Sequence, residues 1–142
     1  MSTRCNIEFY DDYMHEGVRH RKLSARLYQH SDGCPDNIIP LLRKLQRLMS
    51  SGEQVRSIFG PRVNDPEWCA AEFISLYRES GRGNIYVSQQ RHGDIEYLYK
   101  VYCQDTGFRI DIFLPGDKRL TNVTGKYNRG TGRETTPHSK VS

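Results

Sequence analysis

The sequence predicts an α+β domain of two layers: a mostly antiparallel sheet of five strands, in sequence order ββααβββ, with two helices on one face. Three observations predict it. Apolar residues alternate with period two near both ends of the first 114 residues. Two apolar stripes with helical spacing lie between them. Turn signals separate neighbouring segments closely enough for hairpins. The chain has 142 residues, 36% of them hydrophobic, and a mean hydropathy of −0.75. One domain with an economical core fits that length.

The first strand is expected over residues 3–10, with Cys5, Ile7 and Phe9 facing the core and Asn6, Glu8 and Tyr10 facing away. Asp11 to Lys22 is polar and basic at Arg19, Arg21 and Lys22, so it is expected as a hairpin loop whose charge is solvated surface. Leu23 to His30 alternates again, with Ala25 and Leu27 on one face and Arg26, Tyr28 and His30 on the other. A tight turn at Asp32-Gly33 then passes into a helix, with Gly33 expected at positive φ. Asp36 or Asn37 is expected as the cap and Pro40 in the first turn. Ile38, Leu41, Leu42, Leu45, Leu48 and Met49 form its stripe, and Gly52 its end.

Val55, Ile58 and Phe59 suggest a short helical turn before Gly60-Pro61. Asn64-Asp65-Pro66-Glu67 is a helix start: a cap, a proline at the first helical position, and an acid at the positive dipole end. Cys69, Ala70, Phe73, Leu76 and Tyr77 make the second stripe, which stops near Gly81-Arg82-Gly83. Strands follow at 85–89, 95–103 and 108–114, the last two joined through Asp105-Thr106-Gly107. The ordered domain is expected to span 1–116. Residues 117–142 read as a flexible, disordered basic tail with Lys126, Arg129, Arg133 and Lys140, having little to bury.

The four cysteines, Cys5, Cys34, Cys69 and Cys103, contain no Cys-x-x-Cys, and no apolar leader or membrane-length apolar run occurs. They are expected as reduced thiols in a cytoplasmic, bacterial or host-cell setting, without membrane association. The formal net charge of +4 is only mildly basic. It allows weak attraction to polyanions without the dense basic stripe of a dedicated nucleic-acid binder.

Three stretches carry a resemblance: Ser2-Thr3-Arg4-Cys5-Asn6-Ile7, Tyr28-Gln29-His30-Ser31-Asp32-Gly33-Cys34-Pro35, and His92-Gly93-Asp94-Ile95-Glu96-Tyr97. Together they resemble a family of small uncharacterised proteins of phages and bacterial mobile elements, over roughly residues 2–114. In that family the turn commonly reads Tyr-x-His-x-Asp-Gly-Tyr-Pro; here Cys34 stands in the last aromatic position. The resemblance implies a phage or bacterial cytoplasmic setting and carries no activity, cofactor or catalytic residue.

Two polar constellations are candidate sites. His30 with Asp32 and His92 with Asp94 both sit at strand ends. If the ends meet, the four could hold a divalent metal or do acid–base work; the plainer reading is that Asp-Gly and Gly-Asp form turns. No recognised metal or cofactor signature is present. The second candidate is the sheet face away from the helices, with Glu96, Lys100, Tyr102, Arg109, Asp111 and Phe113. Aromatics among basic groups can hold a polyanion, exposed Leu98, Tyr102 and Phe113 would suit a protein partner or a homodimer, and cross-strand pairs Lys100–Asp111 or Glu96–Arg109 are the structural alternative. The leading expectation is a non-enzymatic binding module, an accessory protein of phage or mobile-element type. Its partner is macromolecular, protein ahead of nucleic acid. The rival is a metal-dependent enzyme or nucleotide-ligand binder built on the His/Asp turns.

Overall fold

The computed structural model describes residues 3–51, 63–82, 84–116, 118–123, 126–128 and 133–135, with backbone alone for Ser51 and from 120 onward. The elements are β1 (Cys5–His15), β2 (Val18–Gln29), α1 (Pro35–Ser51), α2 (Pro66–Glu79), β3 (Ile85–Val87), β4 (Tyr97–Gln104), β5 (Gly107–Leu114) and β6 (Lys118–Val123). A separate two-stranded ribbon follows, β7 (Lys126–Asn128) with β8 (Arg133–Thr135). The fold is α+β, and both helices pack on one face of the main sheet.

That sheet has six strands in the order β3-β2-β1-β4-β5-β6. The expected five become six because β6, from the segment expected as tail, pairs antiparallel with β5. The sheet is mixed: β1 and β4 run parallel, Cys5 opposite Tyr97, and the other adjacent pairs run antiparallel. The parallel pair is possible because two helices and β3 intervene, enough chain for a crossover.

The core face collects the residues that the alternation assigned to it. Cys5, Ile7, Phe9, Leu27, Tyr99, Val101, Ile110 and Ile112 lie against Ile38, Leu42, Leu45, Met49, Phe73 and Tyr77. Phe9 and Phe73 meet at 6.2 Å between ring centroids. In α2 the expected start is observed: Asp65 caps it, its carboxylate accepting from the Trp68 amide at 3.1 Å, with Pro66 next. Satisfying that orphan donor is the usual function of an N-cap aspartate.

Four expectations need correction. The Asp11–Lys22 hairpin loop is far shorter than expected: β1 and β2 extend through it to a two-residue turn in which Glu16 (φ 51°) and Gly17 (φ 77°) are both left-handed. Its charges are strand side chains that pair across the ribbon. Neither Asp36 nor Asn37 caps α1. The helix starts at Pro35, where a missing N–H costs nothing, and the Cys34 carbonyl accepts from the amides of Asn37 (3.0 Å) and Ile38 (3.1 Å). Pro40 therefore lies deeper than the first turn.

The turn before α1 also differs. Asp32 takes the left-handed conformation (φ 60°), not Gly33. Aspartate tolerates that region because its short side chain bonds locally. Gly33 is needed for closeness: a Cβ there would stand 2.8 Å from the Thr3 carbonyl oxygen and 2.9 Å from Cys5 Sγ. Gly52, Gly83 and the turn expected around Val55–Phe59 lie outside the described residues.

Candidate binding face

The sheet face away from the helices was expected to be wet. Its central acids are instead buried, Glu8 completely and Asp12 and Asp111 nearly so. The strand register explains their company. Arg26, Glu8, Lys100 and Asp111 are successive partners across β2, β1, β4 and β5, so charge alternates in sign along one row. Opposite charges placed directly across strands stabilise a sheet.

Each buried acid carries two arginines. Arg26 Nε donates to Glu8 Oε2 at 2.8 Å, and Arg91 Nε and Nη2 reach the same carboxylate at 3.0 and 3.1 Å. Tyr10 adds a hydroxyl at 2.8 Å. Arg19 and Arg21 flank Asp12, whose Oδ2 also accepts from Gln104 Nε2 at 2.8 Å. Arg109 and Arg119 stand 3.8 and 3.9 Å from Asp111. Burial alone would raise the carboxyl pKa of Glu8; the hydrogen bonds from Arg91, Arg26 and Tyr10 outweigh it and hold Glu8 below the usual range. Asp12 is held down likewise, against its burial, by Gln104, Arg19 and Arg21.

Between these clusters the rings are capped by cations. The Arg21 guanidinium lies 4.3 Å from the Tyr102 ring centre. The Lys100 ammonium lies 4.9 Å from the Phe113 ring and 5.8 Å from that of Tyr10. Tyr10 and Tyr102 adjoin at 5.2 Å. The expected exposed apolar patch is absent: Leu98 and Tyr102 are buried and Phe113 is half-buried. Neither expected ion pair has its expected partner in the pairings observed. Lys100 sits over the rings although Asp111 is its register neighbour, and Glu96 accepts from the Arg4 amide at 2.7 Å.

One edge of the face is crossed by the segment from Ser88 to Glu96. The amide of Ser88 donates to the Arg26 carbonyl at 2.9 Å, Arg26 Nη1 donates to the Gln89 carbonyl, and the His92 amide donates to Asn6 Oδ1 at 2.9 Å. The His92 ring stacks on Tyr28 at 3.7 Å. This strap was invisible to local pattern reading, since it meets β1 across more than eighty intervening residues.

The two His/Asp turns do sit at the same end of the sheet. Tyr28 joins three of the four: His92 stacks on it, His30 meets it edge-on at 6.3 Å, and its hydroxyl lies 3.3 Å from Asp94 Oδ2. Burial and then the nearby Asp94 charge raise the Tyr28 pKa. Asp94 is also 3.2 Å from Arg4 Nε. Asp32 points elsewhere, its Oδ2 3.9 Å from Arg82. No group of three His, Cys, Asp or Glu able to hold a metal ion occurs among the described residues. Beside His92 a cleft of about 180 Å³ is lined by Arg91, Glu96, Tyr97, Leu98 and Phe113, among others.

No protein-family model, curated protein or solved structure matches this chain.

Proposed function

We propose that this chain is a non-enzymatic binding module, a small cytoplasmic accessory protein of phage or mobile-element type. It docks a macromolecular partner, a protein ahead of a nucleic acid, on the sheet face away from the helices. One observation carries the reading. Three buried acids on that face are each matched by two arginines, so each cluster keeps one positive charge over, and Lys100 supplies a fourth. The three clusters with Lys100 together carry a net charge of +4. Side chains at its corners remain accessible: Arg19 is 45% and Arg119 55% exposed. The four cysteines are free thiols, which accords with a reducing compartment, and no described helix is long and apolar enough to cross a membrane.

Charge reversal at the two corners tests it. Arg19→Glu and Arg119→Glu, each of which removes one counter-charge of a buried acid, should lower the thermal midpoint by no more than a few degrees, stay folded at about 25 °C, and lose the bacterial-lysate protein that immobilised wild type retains. Retention by both variants at the wild-type level would overturn the reading.

The rival, a nucleotide-ligand binder or metal-dependent enzyme at the His/Asp turns, draws on the gathering of His30, His92 and Asp94 around Tyr28. Titration calorimetry with divalent cations and nucleotides on wild type and His92→Ala discriminates. Saturable heat lost in the variant would favour it.

A further inference from the structure

Resting on the binding-face reading above, we propose that the occupant is an extended acidic protein segment. Its carboxylates are taken up at two arginine pairs, Arg19 with Arg21 and Arg109 with Arg119.

Charge complementarity fixes the sign. The excess on this face is positive at both pairs, because Asp12 and Asp111 each neutralise only one of two guanidiniums. The acids themselves are buried, so a partner meets the arginines and not the carboxylates. At Asp111 the separations of 3.8 and 3.9 Å are too long for hydrogen bonds, and the Arg119 side chain is mostly exposed. Its guanidinium therefore keeps hydrogen-bonding capacity for an incoming carboxylate, which its planar shape suits.

Ring geometry chooses between polyanions. Single-stranded nucleic acid binds sheets through open aromatic faces on which bases stack. Here Tyr102 is buried and lies under Arg21, Phe113 lies near Lys100, and Tyr28 lies under His92. Rings under Arg21 and beside Lys100 offer charge to a partner and little stacking surface, and the exposed Tyr86 lies on β3 beside Tyr28, at the opposite end of the sheet from Arg19 and Arg21. The chain also already uses the relevant chemistry on itself, since these arginines grip its own carboxylates.

Register sets the spacing. Asp111 lies in the row of Glu8, two strands from β1, and Asp12 lies four residues further along β1. Two strand spacings of about 4.8 Å and four rises of about 3.3 Å give a diagonal of roughly 16 Å. An extended segment spans that in about five residues. The diagonal passes over Tyr102 and clears the strap, which lies toward β2 and the opposite sheet end.

The test is fluorescence anisotropy on the full chain with four probes. They are a peptide carrying two glutamate pairs five residues apart, its glutamine counterpart, a peptide with the pairs two residues apart, and an oligothymidine of matched charge. The five-residue glutamate peptide should bind at least about tenfold more tightly than the others and weaken as salt rises. Arg19→Glu and Arg119→Glu should each weaken it about tenfold. Arg19→Gln and Arg119→Gln serve if the reversals shift the melting temperature. Oligothymidine binding as tightly as the peptide, or a dimer by sedimentation that these variants dissolve, would overturn the acidic-segment proposal. So would failure of all four probes while lysate capture still depends on Arg19 and Arg119, an outcome that leaves the face reading standing. If neither probes nor lysate capture respond to the variants, both fall.

Discussion

The Gly33 amide donates to the Thr3 carbonyl at 2.9 Å, and any side chain at 33 would collide with that same oxygen. The contact ties the turn ahead of α1 to the residues leading into the central strand, and Tyr99 locks it from below by donating its hydroxyl to the Gly33 carbonyl at 2.7 Å. Gly33→Ala should therefore destabilise by about 1–3 kcal/mol through overpacking. Gly81→Ala, at φ +84° but in open space, should cost only about 1 kcal/mol of backbone strain. Chemical denaturation of both variants checks the order; a smaller loss at Gly33 would mean that the close approach is relieved cheaply.

Leu45 is fully buried in the middle of the α1 stripe. Leu45→Ala should cost about 2–5 kcal/mol, the lost transfer free energy plus a residual cavity. A wild-type urea midpoint would contradict the packing of α1 on the sheet.

Glu8 and Asp12 give the domain an acid limit. Both carboxyl pKa values are held below their ordinary range in the fold. Their contribution to stability is present above the unfolded-state values, about 4.3 and 3.9, and is lost as pH falls through the folded-state values. The urea midpoint should fall on acidification below about pH 5. Glu8→Gln should flatten that slope while lowering stability at neutral pH by about 3–5 kcal/mol, since it leaves Arg26 and Arg91 without their counter-charge. An unchanged slope would remove Glu8 from the account.

An alkaline limit follows from Tyr77, whose pKa burial and the Asp32 charge push up to about 12. The neutral phenol is favoured in the fold, so its contribution is complete below about pH 10, the unfolded value, and is lost as pH rises through the folded value. Tyr77→Phe should lessen the drop in thermal midpoint between pH 10 and 12 and, by losing the bond to the Ser31 carbonyl at 3.2 Å, cost about 1 kcal/mol at neutral pH.

Strand β6 makes a truncation informative. A chain ending at Gly116 loses the antiparallel partner of β5 and, with Arg119, one of the two cations at Asp111. Its melting temperature should fall by several degrees, since a buried acid loses half its compensation. An unchanged melting temperature would show that β6 adds nothing to the domain.

The helices and core face were legible because periodicity and capping are local: Asp65-Pro66 and the Ile38–Met49 stripe mean the same in the sequence as in the fold. The outer face was not. Asn6 and Glu8 alternate with apolar residues as solvent-facing positions do, and their burial depends on Arg91 and His92 from a distant strap. The charged run from Asp11 to Lys22 imitated a loop because its ion pairs form across strands. Of the site residues, Lys100, Tyr102, Arg109 and Phe113 do share one face. His30, His92 and Asp94 gather through Tyr28, a hub that sequence separation conceals, while Asp32 turns toward Arg82.

The parallel pairing of β1 with β4 has a consequence for how the chain acquires its structure. The β1–β2 hairpin has a two-residue turn and can zip early from contacts close in sequence. Its other edge must stay open until the chain has been made from Cys5 through Tyr97 to Cys103. Non-local pairing of that kind slows folding, because loop-closure entropy is lost before the contacts are gained. A nascent chain therefore carries an unsatisfied central strand, lined by Cys5, Ile7 and Phe9, until Cys103 has been made, and that interval is when aggregation competes with folding.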